Sequence, residues 1–281
     1  MLKFWERGKN RWLSLLLSVT FFVMVTVGYR TPSYSNPWLD ILIQGIQILQ
    51  ISQLSDSQEV ELGKEINQQL LTQNNLRVNR NPQLNRYLNS IGQRIARTSD
   101  RPSLPYTFQI IDDDSVNAFA TMGGFVYINT GLMVKATNEA ELASVVAHEV
   151  GHIVGRHALK AIQRRAIASG LMRATGLEES DAIRLGIEVG FNLPRSRENE
   201  LEADQFGLNN LQKAGYAPIA MVTFMETLLK YSGGSNLAIL STHPATQDRI
   251  VLLREQLNPN TASRGDGLNP REYQRQIRSL F

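Results

Sequence analysis

The chain has 281 residues, 42% of them apolar and 20% charged, enough for one substantial domain with its own core. Its 29 basic and 26 acidic residues leave a net charge of +3, mixed along the chain, and no basic stretch interleaved with aromatics marks a nucleic-acid binder. Cysteine is absent, which excludes disulfides, thiolate metal ligands and a lipid-modified N-terminal cysteine, so any metal must be held by His and carboxylates.

The N-terminus carries Lys3, Arg7, Lys9 and Arg11, then an uncharged run from Trp12 to Gly28. A cationic stretch ahead of an apolar one reads as a secretory signal or an uncleaved anchor. The run is 17 residues long, the short limit of a bilayer span. No small-x-small cleavage site stands out between Val25 and Thr31, which favours the anchor. The charge bias keeps the basic end cytoplasmic and exports the rest. Residues 1–30 are therefore signal or anchor. Residues 31–55 are a Pro- and Ser-containing linker followed by an amphipathic helix that begins at Trp38 and carries Gln44, Gln47, Gln50 and Gln53. That helix lacks Lys and Arg on its polar face, so lying on a membrane and packing on the domain are both open.

The main domain is expected over 56–256. Helical patterns cover about 56–75 and 83–98, and Pro102 and Pro105 introduce strands near 106–112, 116–121 and 124–130, with Gly123-Gly124 as a turn. An exposed strand of such a sheet can pair with an extended substrate backbone. A long helix over 138–164 is predicted next, with Asn138 as cap and Leu142, Val145, Val146, Val150 and Val154 as an apolar stripe. It carries His148-Glu149-Val150-Gly151-His152. Histidines four apart share one helix face and can bind one metal ion. The glutamate between them is placed to take the proton of a water that the metal activates.

Such a site needs a third protein ligand, and three kinds of candidate follow. His157 lies nine residues after His148, about 180° around a continuous helix, so it points away and reads as structural or as backing a ligand. The metzincin pattern fails as well, because its histidine would fall at Ala158. A helical region over 166–192 ends before Pro194, and the next helix carries Ser196-Arg197-Glu198-Asn199-Glu200-Leu201-Glu202-Ala203-Asp204. There Glu200 and Asp204 share a face, with Glu198 and Glu202 about 200° from Glu200. One of these carboxylates can ligate zinc while Asp204 orients a ligand histidine. The third candidate is His243, in Ser241-Thr242-His243-Pro244-Ala245-Thr246-Gln247-Asp248-Arg249, beyond a helix at 218–231 and a flexible Ser232-Gly233-Gly234-Ser235 loop. Residues 257–281 read as a polar tail with a weak helix at 270–280.

HEVGH, SRENELEAD and THPATQDR, in this order, resemble the zinc metallopeptidase family of HtpX, BepA and the CAAX prenyl endopeptidase, most of all its exported BepA-type members. Asp114 to Ala120, followed by Gly123-Gly124-Phe125-Val126-Tyr127 and Gly131-Leu132, resembles the segment ahead of the active-site helix in that family. The resemblance covers roughly residues 55–255. It implies an α+β, zincin-like (gluzincin) domain, mostly helical with a small sheet, and one Zn²⁺ per chain. It also implies His148, His152 and Glu200 as ligands, Glu149 as base, and Asp204 behind a ligand. Asn117, Ala118 and Phe119 are expected to bind substrate. His243 is expected near the metal, as a resting-state ligand or a catalytic group. Arg249 either stabilises an oxyanion or pairs with a carboxylate. Several relatives carry an aromatic residue where this chain has Arg195, so substrate contacts there are expected to differ.

The expected activity is zinc-dependent hydrolysis of internal peptide bonds, in misfolded or membrane-associated proteins outside the cytoplasm. Protein or peptide substrates and the membrane, through residues 12–28, are the expected partners. No nucleic-acid partner is expected, and oligomeric state is not legible. The alternative is an envelope chaperone or assembly factor with little proteolysis.

Overall fold

A computed structural model describes residues 54–74, 76–169, 179–231, 237–244 and 247–281. The expected signal or anchor, the linker and amphipathic helix up to residue 53, and the Ser232–Ser235 loop lie outside the described residues. Among the described residues no helix is long and apolar enough to cross a membrane.

The architecture is α+β and mostly helical, with one small sheet. Helix α1 (Asp56–Thr72) starts in a capping box in which Ser55 and Gln58 satisfy each other's backbone amides. Helix α2 (Pro82–Ala96) has Asn81 as cap and proline in its first turn. Strands β1 (Thr107–Ile111), β2 (Ala118–Ala120) and β3 (Phe125–Asn129) form a sheet in the order β1-β3-β2. β1 runs parallel to β3, with Thr107 opposite Phe125, and β2 runs antiparallel, with Phe119 opposite Tyr127.

Both faces of the sheet are buried, and the two-residue alternation sorts its side chains between two cores. Phe108, Ile110, Val126, Ile128, Ala118 and Ala120 join the larger one. Ile111, Phe119, Phe125 and Tyr127 join the smaller one.

A short helix α3 (Thr130–Lys135) leads into α4 (Glu139–Val154), capped by Asn138, whose Oδ1 accepts from the Glu141 amide at 3.0 Å. Every residue of α4 from Ala140 to Ile153 is buried, so it is the central helix. The predicted continuous helix to residue 164 is two helices. α4 ends at Gly155, Arg156 takes a left-handed conformation (φ 52°), and α5 (His157–Ala168) starts in a new direction. A non-glycine residue in that region is strained, and long-range bonds hold it there. The Arg156 guanidinium donates to Leu54 O at 3.0 Å and to Asp56 Oδ1 at 2.5 Å, and lies 3.4 Å from Glu59 Oε2.

Next come α6 (Glu179–Ile187), extended by a π-helical turn (Glu188–Asn192), and α7 (Arg197–Lys213), capped by Ser196. Helices α8 (Ile219–Lys230), α9 (Ile239–Thr242), α10 (Gln247–Gln256) and α11 (Pro270–Gln276) complete the described chain. The residues expected as a polar tail do not hang free. Tyr273 and Ile277 are each 1% exposed, the Tyr273 hydroxyl donates to Met133 O at 2.5 Å, and Gly267 O accepts from the first-turn amide of Ala140 at 2.9 Å.

Candidate metal centre

The site is where α4 crosses α7, and glycines let the two helices close. A Cβ on Gly151 would stand 2.6 Å from Ala203 O, and one on Gly207 would stand 3.1 Å from the His148 backbone nitrogen. Small residues at both contacts bring the backbones together, which carries Glu200 and Asp204 to the histidines of α4.

Four donors converge. His148, His152, Glu200 and His243 are all buried, and one ligand atom from each lies within 4.8 Å of the other three. His148 Nε2 and His152 Nε2 are 3.1 Å apart, and His243 Nδ1 is 3.4 Å and 3.3 Å from them. Glu200 Oε1 lies 3.2 Å from His152 Nε2 and 3.1 Å from His243 Nδ1, and Glu200 Oε2 lies 3.5 Å from His148 Nε2. A tetrahedral zinc with bonds of about 2.0–2.1 Å separates its donors by about 3.3 Å, so these spacings fit the ion.

Hydrogen bookkeeping supports the same fit. His152 Nδ1 is paired with His157 Nδ1 at 2.7 Å, and His148 Nδ1 lies 3.0 Å from Asp204 Oδ1. Three inner ring nitrogens and a carboxylate therefore face one another at the centre, an arrangement that a cation between them would satisfy.

Charge around the cluster is ordered by Arg249, which is 4% exposed. It grips Asp204 with two bonds of 2.7 Å and donates to Glu200 Oε2 at 2.6 Å and to Pro244 O at 2.8 Å. Its guanidinium therefore faces the carboxylates from behind, as the ion-pairing alternative for this residue expects. Burial raises both carboxyls, but His243, His148 and His152 hold Glu200 well below the usual carboxylate range. Arg249 and His148 do the same for Asp204. Burial works against a charged ring at His148, yet Asp204 and Glu200 outweigh it and raise that imidazole to about 9. Burial keeps His152 well below the ordinary range. The pocket thus attracts positive charge and still offers an uncharged ring nitrogen.

Glu149 is fully buried and neither carboxylate oxygen has a hydrogen-bond partner among the described residues. Its Oε1 lies 3.6 Å from His243 Nε2. Beside it opens a cleft walled by Val145, Met221, Phe224, Met225, Leu228 and Ile239. Apart from Val145 these apolar residues escaped the sequence reading, although Met221, Phe224, Met225 and Leu228 recur at helical spacing just after the Glu200 helix.

The residues expected to bind substrate are placed differently from one another. Asn117 is buried with Oδ1 unpartnered, and Ala118 is buried at the edge strand. The Phe119 side chain turns into the smaller core, stacked on Tyr127 at 4.5 Å and edge-on to Phe191 at 5.0 Å, so it does not face the cluster. The strand is also not exposed as expected. β2 is one of the two edge strands, but its three residues are buried, Arg195 Nη2 donates to Ala120 O at 3.3 Å, and the Arg195 amide donates to Thr242 O at 2.9 Å. The remaining Arg195 bonds, to Val189 O at 2.9 Å and Gly190 O at 3.2 Å, hold the π-helical turn against the strand.

Comparison with known proteins matches the same elements. The model of peptidase family M48 matches residues 82–257. The beta-barrel assembly-enhancing protease of Escherichia coli K12 is 30% identical over 263 residues, covering 88% of this chain and 53% of that protein. The mitochondrial metalloendopeptidase OMA1 of Schizosaccharomyces pombe is 33% identical over 176 residues, 61% of this chain and 52% of its own. Metalloprotease LoiP of Escherichia coli K12 is 26% identical over 226 residues, 78% of this chain and 88% of its own. The chain spans about half the length of the first two of these relatives.

Proposed function

The chain belongs to peptidase family M48, and from that premise we propose that it is a zinc-dependent endopeptidase acting on misfolded or membrane-associated proteins outside the cytoplasm. The observation that carries this reading is the convergence of His148, His152, Glu200 and His243 beside the unpartnered carboxylate of Glu149. His148, His152 and Glu200 would hold one zinc ion per chain. Zinc bound there supplies Lewis acidity, polarising the scissile carbonyl and making a water easier to deprotonate.

Glu149 does the proton work. It takes a proton from the attacking water, whose oxygen adds to the carbonyl carbon, and returns it to the leaving nitrogen as the C–N bond breaks. Arg249 and Asp204 hold Glu200 and His148 in place from behind. The apolar cleft next to Glu149 receives an apolar side chain of the substrate. Asn117 and Ala118, which precede the Ala120 carbonyl that Arg195 holds, position its backbone. The cationic start and the uncharged run over 12–28 support export and a membrane tether.

Casein cleavage by the purified protein, with a Glu149→Gln control, tests the reading. Glutamine keeps the shape and removes the proton acceptor, so zinc content stays while turnover falls by roughly 10²-fold or more. Unchanged cleavage in a zinc-loaded Glu149→Gln variant overturns it.

A second reading, a chaperone or assembly factor that holds clients with little turnover, is favoured by one feature: His243 completes the donor set. In that case the wild type fails to cleave casein, and it suppresses client aggregation as well as Glu149→Gln does.

A further inference from the structure

All four histidines of the chain stand in one cluster, yet only three of them face its centre. The fourth, His157, is fully buried and sits behind His152. On a continuous helix it would point away. The break at Gly155 and Arg156 swings the chain back, so that the first residue of α5 meets the last turn of α4. Gly155 is required for this, because a Cβ there would overlap His157 Nε2.

The contacts run in a line. His152 Nδ1 and His157 Nδ1 are 2.7 Å apart, and His157 Nε2 lies 3.0 Å from Glu202 Oε2. Lys160 Nζ, 3.5 Å from the same oxygen, steadies the carboxylate. With both rings neutral, only one placement of hydrogens satisfies every contact. Glu202, a carboxylate, can only accept, so His157 donates from Nε2. His157 Nδ1 then carries a lone pair and must accept, so His152 donates from Nδ1. The free lone pair of His152 is left on Nε2, the nitrogen that faces His148, Glu200 and His243.

The geometry points to His157 and Glu202 as a positioning relay that fixes the tautomer and ring direction of His152. This rests on the zinc reading above. His148 has the simpler form of the same device, its Nδ1 facing Asp204 Oδ1 directly at 3.0 Å. The two histidines of the motif are thus both backed by a carboxylate of α7, one directly and one through a second imidazole. Residues that orient a ligand histidine typically change metal affinity 10–100-fold when lost. The relay also gives Glu202 a role that its position, far around the helix from Glu200, conceals in the sequence.

Three variants of the full chain and one spectrum test it. Zinc affinity is measured by competition with a chromophoric chelator, and folding by circular dichroism. His157→Leu fills the space without an acceptor and should weaken zinc by about 10–100-fold. His157→Asn keeps an acceptor oxygen near the Nδ1 position and should recover most of that loss, which a packing role alone would not produce. Glu202→Ala should cost less than His157→Leu, because the Glu202 side chain is 43% exposed and water can accept in its place. In the metal-free wild type, ¹⁵N spectra of the imidazoles should show the hydrogen on Nδ1 of His152 and on Nε2 of His157.

Wild-type zinc affinity in a folded His157→Leu protein overturns the relay, as does a His152 hydrogen on Nε2. If His157→Leu does not fold, the wild-type tautomers and the affinity of His157→Asn decide. A wild type that binds no zinc defeats the proposed function instead, and the tautomers still judge the relay.

Discussion

His243 touches both carboxylates on which the proposed reaction depends, Glu200 Oε1 at 3.1 Å through Nδ1 and Glu149 Oε1 at 3.6 Å through Nε2. A catalytic zinc keeps one coordination position open, whereas four protein donors close it. An imidazole in that place excludes the attacking water and makes the enzyme latent. Moved slightly away, the same ring can donate to the developing oxyanion. Arg249 does not compete for that task, because its guanidinium is engaged by Asp204, Glu200 and Pro244 O. The two roles of His243 predict opposite signs. With latency dominant, His243→Ala raises basal casein cleavage while weakening zinc, and this is the expected result. Lowered cleavage assigns the oxyanion role instead. Unchanged zinc affinity together with unchanged cleavage removes both.

Helices α4 and α7 owe their close approach to Gly151 and Gly207, and the donor geometry depends on that approach. A helix-interior Gly→Ala exchange ordinarily stabilises by about 1 kcal/mol through propensity. At Gly151 the added methyl would stand 2.6 Å from Ala203 O, a backbone atom that cannot turn aside. Overpacking costs typically about 1–3 kcal/mol, so Gly151→Ala should be net destabilising. It should also lose zinc, because Glu200 moves away with α7. Melting temperature and zinc stoichiometry check this, and a stabilised variant with full zinc content refutes it. The one-face spacing of His148 with His152, and of Glu200 with Asp204, is legible in the sequence because a helix turns local spacing into geometry. The end of α4 is not. Leu159, Ile162 and Ala166 continue an apolar rhythm beyond Gly155, and the left-handed Arg156 is held by Asp56 and Glu59, a hundred residues earlier in the chain. The three strands are legible individually, but the parallel pairing of β1 with β3 and the cover that Arg195 places over β2 depend on partners far apart in sequence. His243 is legible as a candidate ligand, being one of only four histidines, but its place near the metal comes from the resemblance, since nothing local to it announces the contact.

At the scale of the molecule, α4 is clamped at both ends by chain from far away. Its last turn is held by Arg101, which donates to Ile153 O at 3.0 Å while pairing with Glu59 at 2.7 Å. Its first turn is held by the C-terminal segment through Gly267 O on the Ala140 amide, and Tyr273 holds the preceding helix α3 through Met133 O. The family match ends at residue 257, so this second clamp lies beyond the matched region. Composition hid it, because Tyr273, Ile277 and Leu280 are a few apolar residues at helical spacing in a segment rich in Arg, Gln and Asn. Burial of a whole aromatic side chain decides its size. Truncating a buried aromatic to alanine costs about 3–5 kcal/mol, whereas Tyr273→Phe removes only the hydroxyl and leaves Met133 O unsatisfied, costing about 1–3 kcal/mol. Tyr273 is 1% exposed and touches none of the four donors, so both variants should keep full zinc content while urea midpoints fall in that order. Equal midpoints for Tyr273→Ala and the wild type would show that the segment rests on the domain without supporting it. Loss of zinc in Tyr273→Phe at unchanged stability would instead place the C-terminal segment in direct communication with the metal centre.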